Sequence, residues 1–283
     1  MAELDPLSAL SWLVDAGADE AIGQEPVNRL TARPVPKPTD FLQPAKPAVA
    51  PTPARRAPTL AQQAKAPAPI IEGDDIGAAQ DIAARANTLA ELRTALETFE
   101  GCLLKRIATN TVFADGVEGA PVLCIGEAPG YDEDRIGKPF VGRAGQLLDK
   151  MLAPIGLSRE TNTYIINVLP WRPPDNRNPD PVEVAKCIPF LRRHIELADP
   201  KLIVLLGAVA VRNVMGKQEG IMLTRGKWLD YNVNGHMVPV MPTLHPAYLL
   251  RRAAEKKLAW RDLQMIQDRI SSLGLLDSSA KGA

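Results

Sequence analysis

The chain has 283 residues, with 33 Lys+Arg against 33 Asp+Glu, so its formal net charge is zero and it neither demands nor excludes a polyanionic partner. That length suits one large domain or two small ones, no apolar run is long enough to span a bilayer, and three cysteines (Cys102, Cys124, Cys187) are too few for a disulfide framework. The acidic start MAELDPLSALSWLVDAG lacks the basic opening of a secretory signal, so a soluble cytoplasmic protein is expected.

Charge is spread unevenly along the chain. Residues 1–30 hold six acidic side chains and one basic, whereas residues 31–70 hold six basic and one acidic. Within the acidic segment, Leu7, Leu10, Leu13 and Val14 recur at helical spacing with Trp12 flanking them. A short amphipathic helix over 6–22 either docks or frays on its own domain, or inserts its apolar face into a protein partner's groove. Ten of the 26 prolines fall in 31–70, interleaved with alanine. Residues 31–76 therefore read as a basic, disordered, extended linker, whose positive charge would add weak, salt-sensitive contact with nucleic acid. A packed domain is expected over 77–275 and a disordered tail over 276–283.

Leucine and alanine at a 3.6-residue period over 79–107 predict one or two helices covering a sheet. Val122–Ile125 is a short, partly β-branched apolar run bounded by glycine, as in a strand buried on both faces. A tight turn, Gly126-Glu127-Ala128-Pro129-Gly130, follows, then the acidic Asp132, Glu133 and Asp134, and a helix over 142–153. Thr163–Val168 reads as a second strand. Asp180 caps a helix to Leu197, with Pro181 in its first turn and Val184, Ile188, Leu191 and Ile195 as its apolar stripe. Leu202–Leu206 is a continuous buried strand, followed from Gly207-Ala208 by a helix to about Met215. Lys227–Tyr231 and His236–Met241 alternate like an antiparallel or edge pair. Two basic helices close the chain. Strands alternating with helices predict a three-layer α/β/α sandwich around a central, mostly parallel four-stranded sheet.

Four carboxyl strand ends then share one rim, where open α/β sheets place ligands: Gly126-Glu127, Asn167, Gly207-Ala208 and Thr243-Leu244-His245. Each candidate has a plainer alternative. Glu127 can simply cap the next helix. Phe140 can be core, Asn167 a turn residue, and His245 a buried, hydrogen-bonded histidine.

Taken together and in order, GEAPG with its acidic cluster, GKPFVGRAGQLL, INVLPWRPPDNRNP and MPTLHPAYLLR closely resemble the uracil-DNA glycosylase superfamily. The nearest branch is family 4, which is bacterial and archaeal, and the resemblance covers about Cys102 to Gln264. It implies that uracil is rotated out of DNA into a snug pocket. Phe140 would stack on the base and Asn167 would read its hydrogen-bonding edge. Amides of Gly126, Ala128 and Gly130, in the turn that includes Pro129, would meet its carbonyls, and Tyr131 would crowd C5 against thymine. His245 would hydrogen-bond the departing anion, while Glu127 positions water and counters charge on the sugar. Leu249 and Leu250 are candidates for a minor-groove wedge and Arg251 for a phosphate contact; Arg143, Arg172 and Arg177 would flank the same surface. A monomer associated with the nucleoid is expected.

The chain also departs from that family. Family 4 members typically carry four cysteines holding an iron–sulfur cluster, whereas the four positions here read Phe99, Cys102, Trp171 and Cys187. Two thiolates are too few for that ligation, so no cluster and no other cofactor or metal is expected, with Cys102 and Cys187 left as buried neighbours. No basic, histidine-containing insertion follows Asn167, so turnover rather than covalent trapping is expected. No lysine stands at a pocket position suited to Schiff-base attack, so the enzyme should leave an unbroken abasic site. Other readings are the same fold acting on hypoxanthine or xanthine, a nucleotide-cofactor enzyme, or a DNA-binding homologue without catalysis. The missing G-x-G-x-x-G counts against the second, and the intact Glu127, Phe140, Asn167 and His245 against the third.

Overall fold

A computed structural model describes residues 74–276. The expected segment 1–30, the linker as far as residue 73, and the tail from residue 277 lie outside the described residues. The first helix, α1, is Asp74–Arg85, followed by α2 (Leu89–Thr98) and α3 (Leu103–Ile107). The predicted one or two helices are thus three. Thr88 starts the second helix as its cap, its hydroxyl accepting the Glu91 N–H at 3.1 Å, while the Glu91 carboxylate accepts the Asn87 N–H at 2.7 Å.

Six strands form one sheet: β1 (Asp115–Gly116), β2 (Val122–Gly126), β3 (Thr163–Asn167), β4 (Leu202–Leu206), β5 (Leu229–Val233) and β6 (His236–Thr243). Their order is β1-β3-β2-β4-β6-β5. The inner four are parallel, with Gly126 opposite Asn167 and Leu206 opposite Thr243, while β1 and β5 are antiparallel edges. The expected sheet is mostly parallel as predicted but has six strands rather than four, because the short β1 and the edge strand β5 add to the four parallel ones. The expected antiparallel pair is β5 with β6, of which β5 is the edge, while β6 runs on to Thr243 and lies inside the sheet beside β4. Pro239 and Pro242 argue locally against an interior strand, and the two-residue β1 is too short to carry any alternation.

The remaining helices are α4 (Tyr131–Ile136), α5 (Arg143–Leu152), α6 (Pro181–Ala198), α7 (Ala208–Met215), α8 (Ile221–Thr224), α9 (Pro246–Arg251) and α10 (Lys256–Ser272). Alternate strand residues face opposite ways and build two cores. Leu123, Ile125, Ile166, Ile203 and Leu205 pack under α1, α2, α6 and α7. Val122, Cys124, Ile165, Val204 and Leu206 pack under α5, α9 and α10. Each fully buried aliphatic side chain contributes about 1.5–3 kcal/mol, so β2, β3 and β4, buried throughout, fix the register. All four inner strands present their carboxyl ends on the same rim.

Candidate active site

A cavity of about 400 Å³ opens at that rim. Glu127, Ala128, Pro129, Gly130, Phe140, Asn167, His245 and Arg251 line it, so most of the predicted pocket is brought together. Gly126 lies beneath, where a Cβ would overlap both the Asn167 carboxamide oxygen and the Phe140 ring. Only glycine lets that platform and that amide approach one another so closely.

Phe140 occupies a left-handed conformation (φ 54°) that costs a non-glycine residue about 1–3 kcal/mol. The surroundings hold it there. Arg159 donates from Nη2 to the Phe140 carbonyl at 2.7 Å and from Nη1 to the Pro139 carbonyl at 3.2 Å. Its guanidinium is itself fixed by Asp115 and Asp149, both at 2.8 Å. Gly145 adds a constraint, since a Cβ there would run into the Phe140 carbonyl. The Phe140 ring faces the His245 ring at 5.5 Å and 32°.

Glu133, which also lines the cavity, was not singled out from sequence. It is the third residue of α4 after the Gly130 cap, and it reaches back to the Gly130 N–H at 3.1 Å. Its other oxygen accepts the N–H groups of Val141 (3.0 Å) and Gly142 (2.9 Å). One carboxylate therefore joins the Gly126–Gly130 turn to the loop that carries Phe140. The spacing Gly130-x-x-Glu133 was the available signal, a capping pattern with glycine at its head.

Asn167 is buried, and its Oδ1 is an acceptor without a hydrogen-bond partner, the single such buried side-chain atom among the described residues. Leaving it so costs about 1–3 kcal/mol, which a ligand N–H would recover. Backbone bonds from Val168 and Leu169 to the carbonyls of Gly126 and Glu127, both 3.0 Å, lock the two strand ends together. The half-buried Glu127 carboxyl has its pKa raised by burial, against the pull of Arg212; it does not cap α4, which starts from Gly130. His245 caps α9, its Nδ1 accepting the Ala247 N–H at 3.1 Å. Nδ1 therefore carries no proton, and burial, with Arg251 adding to it, lowers the ring's pKa to about 4. The neutral imidazole holds its proton on Nε2, as a donor.

Comparison with known proteins identifies the family. A sequence profile described as the uracil DNA glycosylase superfamily matches residues 113–264, more than half of the chain. The chain belongs to the uracil-DNA glycosylase superfamily. It is 39% identical over 176 residues to the Type-4 uracil-DNA glycosylase of Saccharolobus solfataricus, covering 60% of this chain and 81% of the relative. The Type-4 enzyme of Thermotoga maritima is 40% identical over 176 residues, 61% of this chain and 90% of the relative. That of Archaeoglobus fulgidus is 46% identical over 155 residues, 53% of this chain and 77% of the relative.

Around the mouth, this member of the superfamily differs from expectation in two places. Tyr131 does not guard the cavity: as the first residue of α4 it is 62% exposed, its ring 5.3 Å from the Arg172 guanidinium. Leu249 is 1% exposed and cannot act as a wedge. The cap at His245 places Leu244 and Leu249 at the two positions that staple a helix start, and both lie in the same core. Leu250, 41% exposed, is the apolar side chain left at the surface. Arg143 is exposed at the head of α5, outside the cavity lining. Arg172 donates to Asn176 Oδ1 at 2.8 Å, steadying a loop in which Asp175 and Asn176 are both left-handed. From that loop Pro173, Asn176, Arg177 and Asn178 line the cavity, as do Ala144, Ala247 and Tyr248. Of these residues, only Arg177 was expected from sequence to face this surface.

The cluster positions lie in the other core. Phe99 and Trp171 are buried, the first 5.1 Å from the Phe190 ring, the second donating from its indole to Thr111 Oγ1 at 3.0 Å. Cys102 and Cys187 are buried, and their thiols interact with each other. The interaction between them lowers the Cys102 pKa to about 7 and drives Cys187 upward. Two packed aromatic rings and two thiols do not fit a four-thiolate cluster.

Proposed function

We propose that this protein is a monofunctional glycosylase that hydrolyses the N-glycosidic bond of uracil in DNA and leaves an abasic site. The observation that carries the reading is the unpartnered Asn167 Oδ1, buried beside the Phe140 ring in the cavity. A flipped pyrimidine stacked on Phe140 offers it a ring N–H, and the same carboxamide donates from Nδ2 to the neighbouring carbonyl. His245, protonated on Nε2 alone, donates to the oxygen on which negative charge gathers as the base departs. Glu127, ionised, orients water toward the anomeric carbon and offsets the positive charge on the sugar. The relatives named Type-4 uracil-DNA glycosylases support this substrate. Among the described residues no lysine lines the cavity, and Lys138 pairs with Asp115 at 3.1 Å, which supports hydrolysis by water rather than Schiff-base chemistry. The unfitted cluster positions support a protein without an iron–sulfur cluster.

The test is alkali cleavage of labelled oligonucleotides holding uracil, hypoxanthine or thymine, with Glu127→Gln and His245→Ala controls. Uracil is released by the parent and at least about 10²-fold more slowly by each variant. Intact uracil-containing DNA after incubation with folded protein refutes the reading in favour of a non-catalytic DNA-binding homologue. A broader substrate range, including hypoxanthine or xanthine, is a second reading, favoured by the exposed Tyr131, which leaves the C5 side without its expected guard. Borohydride trapping of a protein–DNA adduct would overturn the monofunctional mechanism.

A further inference from the structure

A buried polar cluster lies behind His245 and takes no part in the chemistry above. Asp262, on α10, is 0% exposed. Its Oδ2 accepts the Thr243 hydroxyl at 2.7 Å and Arg225 Nε at 3.0 Å, and Arg225 Nη2 pairs with its Oδ1. That Nη2 also donates to the Leu258 carbonyl at 2.6 Å. Three donors converging on two oxygens hold the group as a carboxylate. Burial pushes its pKa up, and the Thr243 hydroxyl and the Arg225 charge pull against this.

Thr243 is the last residue of β6, two before His245, and it is gripped from both sides. Its hydroxyl is held by Asp262, and its carbonyl accepts the Gly207 N–H at 2.9 Å from the end of β4. Gly207 is left-handed (φ 92°), and a Cβ there would stand 3.0 Å from the His245 Cβ. Next to Thr243, the Pro242 carbonyl accepts the Gly226 N–H at 3.1 Å, beside Arg225. Proline at 242 supplies no backbone N–H of its own, so the Thr243 hydroxyl adds a side-chain anchor to the pairing with β4 at the end of this strand. A buried ion pair adds little net stability over apolar packing. Its directional bonds do fix where the chain stops being a strand, and hence where the imidazole sits.

We propose that Asp262, acting through Thr243, is a positioning residue of this reaction, setting the placement of His245 against the departing base. This rests on the reading of His245 as the donor to that base. Misplacing a reacting group by about 1 Å costs up to about 10²-fold in rate, so the effect belongs in the chemical step and not in DNA binding.

Thr243→Val is the clean probe, because it removes one hydroxyl and leaves the Asp262–Arg225 pair intact. Single-turnover uracil excision is expected to fall by about tenfold or more, with affinity for uracil-containing DNA within about twofold of the parent. The His245 imidazole resonances are expected to shift, and Thr243→Ser to restore both rate and resonances. Asp262→Asn should slow the same step, and the double variant should lose less than the product of the single losses. If Thr243→Val does not fold, Thr243→Ala carries the same comparison. An unchanged excision rate, an equal loss of rate and affinity, or unmoved His245 resonances would each overturn the proposal. A parent protein that releases no uracil counts against the functional reading, and the imidazole resonances still decide the positioning role.

Discussion

Replacing Glu133 by glutamine is a sharp test of how the pocket is held. The carboxylate accepts three backbone N–H groups, from Gly130, Val141 and Gly142, at 3.1, 3.0 and 2.9 Å. The glutamine carbonyl can keep the pair at Val141 and Gly142, but its amide then meets the Gly130 N–H donor to donor. Each hydrogen bond to a charged group is worth about 1.5–3 kcal/mol, so losing one lowers stability by about that amount. For a domain of this size, 1 kcal/mol moves the unfolding temperature by about 2–4 °C, giving a fall of about 3–12 °C. The freed turn also loosens Phe140, whose left-handed backbone relies on this clamp and on Arg159. Single-turnover excision should drop by about 10–100-fold. Calorimetry and a quenched-flow excision assay on the same preparation measure both. An unfolding temperature within a degree and a rate within about twofold of the parent would mean that the three bonds carry nothing, and the account of the pocket would be wrong.

Further outcomes can be measured directly. The acid limb of the excision rate should lie above the ordinary carboxylate range, because burial raises the Glu127 pKa and the ionised form is the active one; Glu127→Gln should abolish that limb. The His245 pKa is lowered to about 4 from an ordinary 6.5, so its neutral form contributes stability in full above 6.5, and this is lost as pH falls from there through about 4; His245→Ala should reduce the loss across that window in a urea series without abolishing it, because burial lowers the His194 pKa to about 3. Leu249→Ala should lower stability by about 2–5 kcal/mol, as a buried leucine does, whereas Leu250→Ala should leave stability unchanged and weaken excision from duplex more than from single strands. As-purified protein should be colourless and free of stoichiometric iron by elemental analysis; a visible absorption band with iron would contradict the packing of Phe99 and Trp171.

Sequence by itself determined the layered architecture and the shared rim. Buried β-branched runs separated by helices force parallel strands, and parallel strands must present Glu127, Asn167 and His245 at one end. Tertiary structure decided what each group is free to do. That Phe140 is left-handed, and that Glu133 is taken up by three amides, depends on residues distant in the chain, Asp115 and Arg159 among them. The tautomer of His245 follows from one backbone N–H two residues away, and its placement from Asp262 on another helix. Leu249 and Leu250 differ only in helical phase, which the cap at His245 sets, and Tyr131 turns outward because α4 begins with it. Composition and periodicity record which surfaces are buried. Hydrogen-bond partners and backbone handedness are properties of the assembled chain, because they are fixed by contacts between segments that no local pattern encodes.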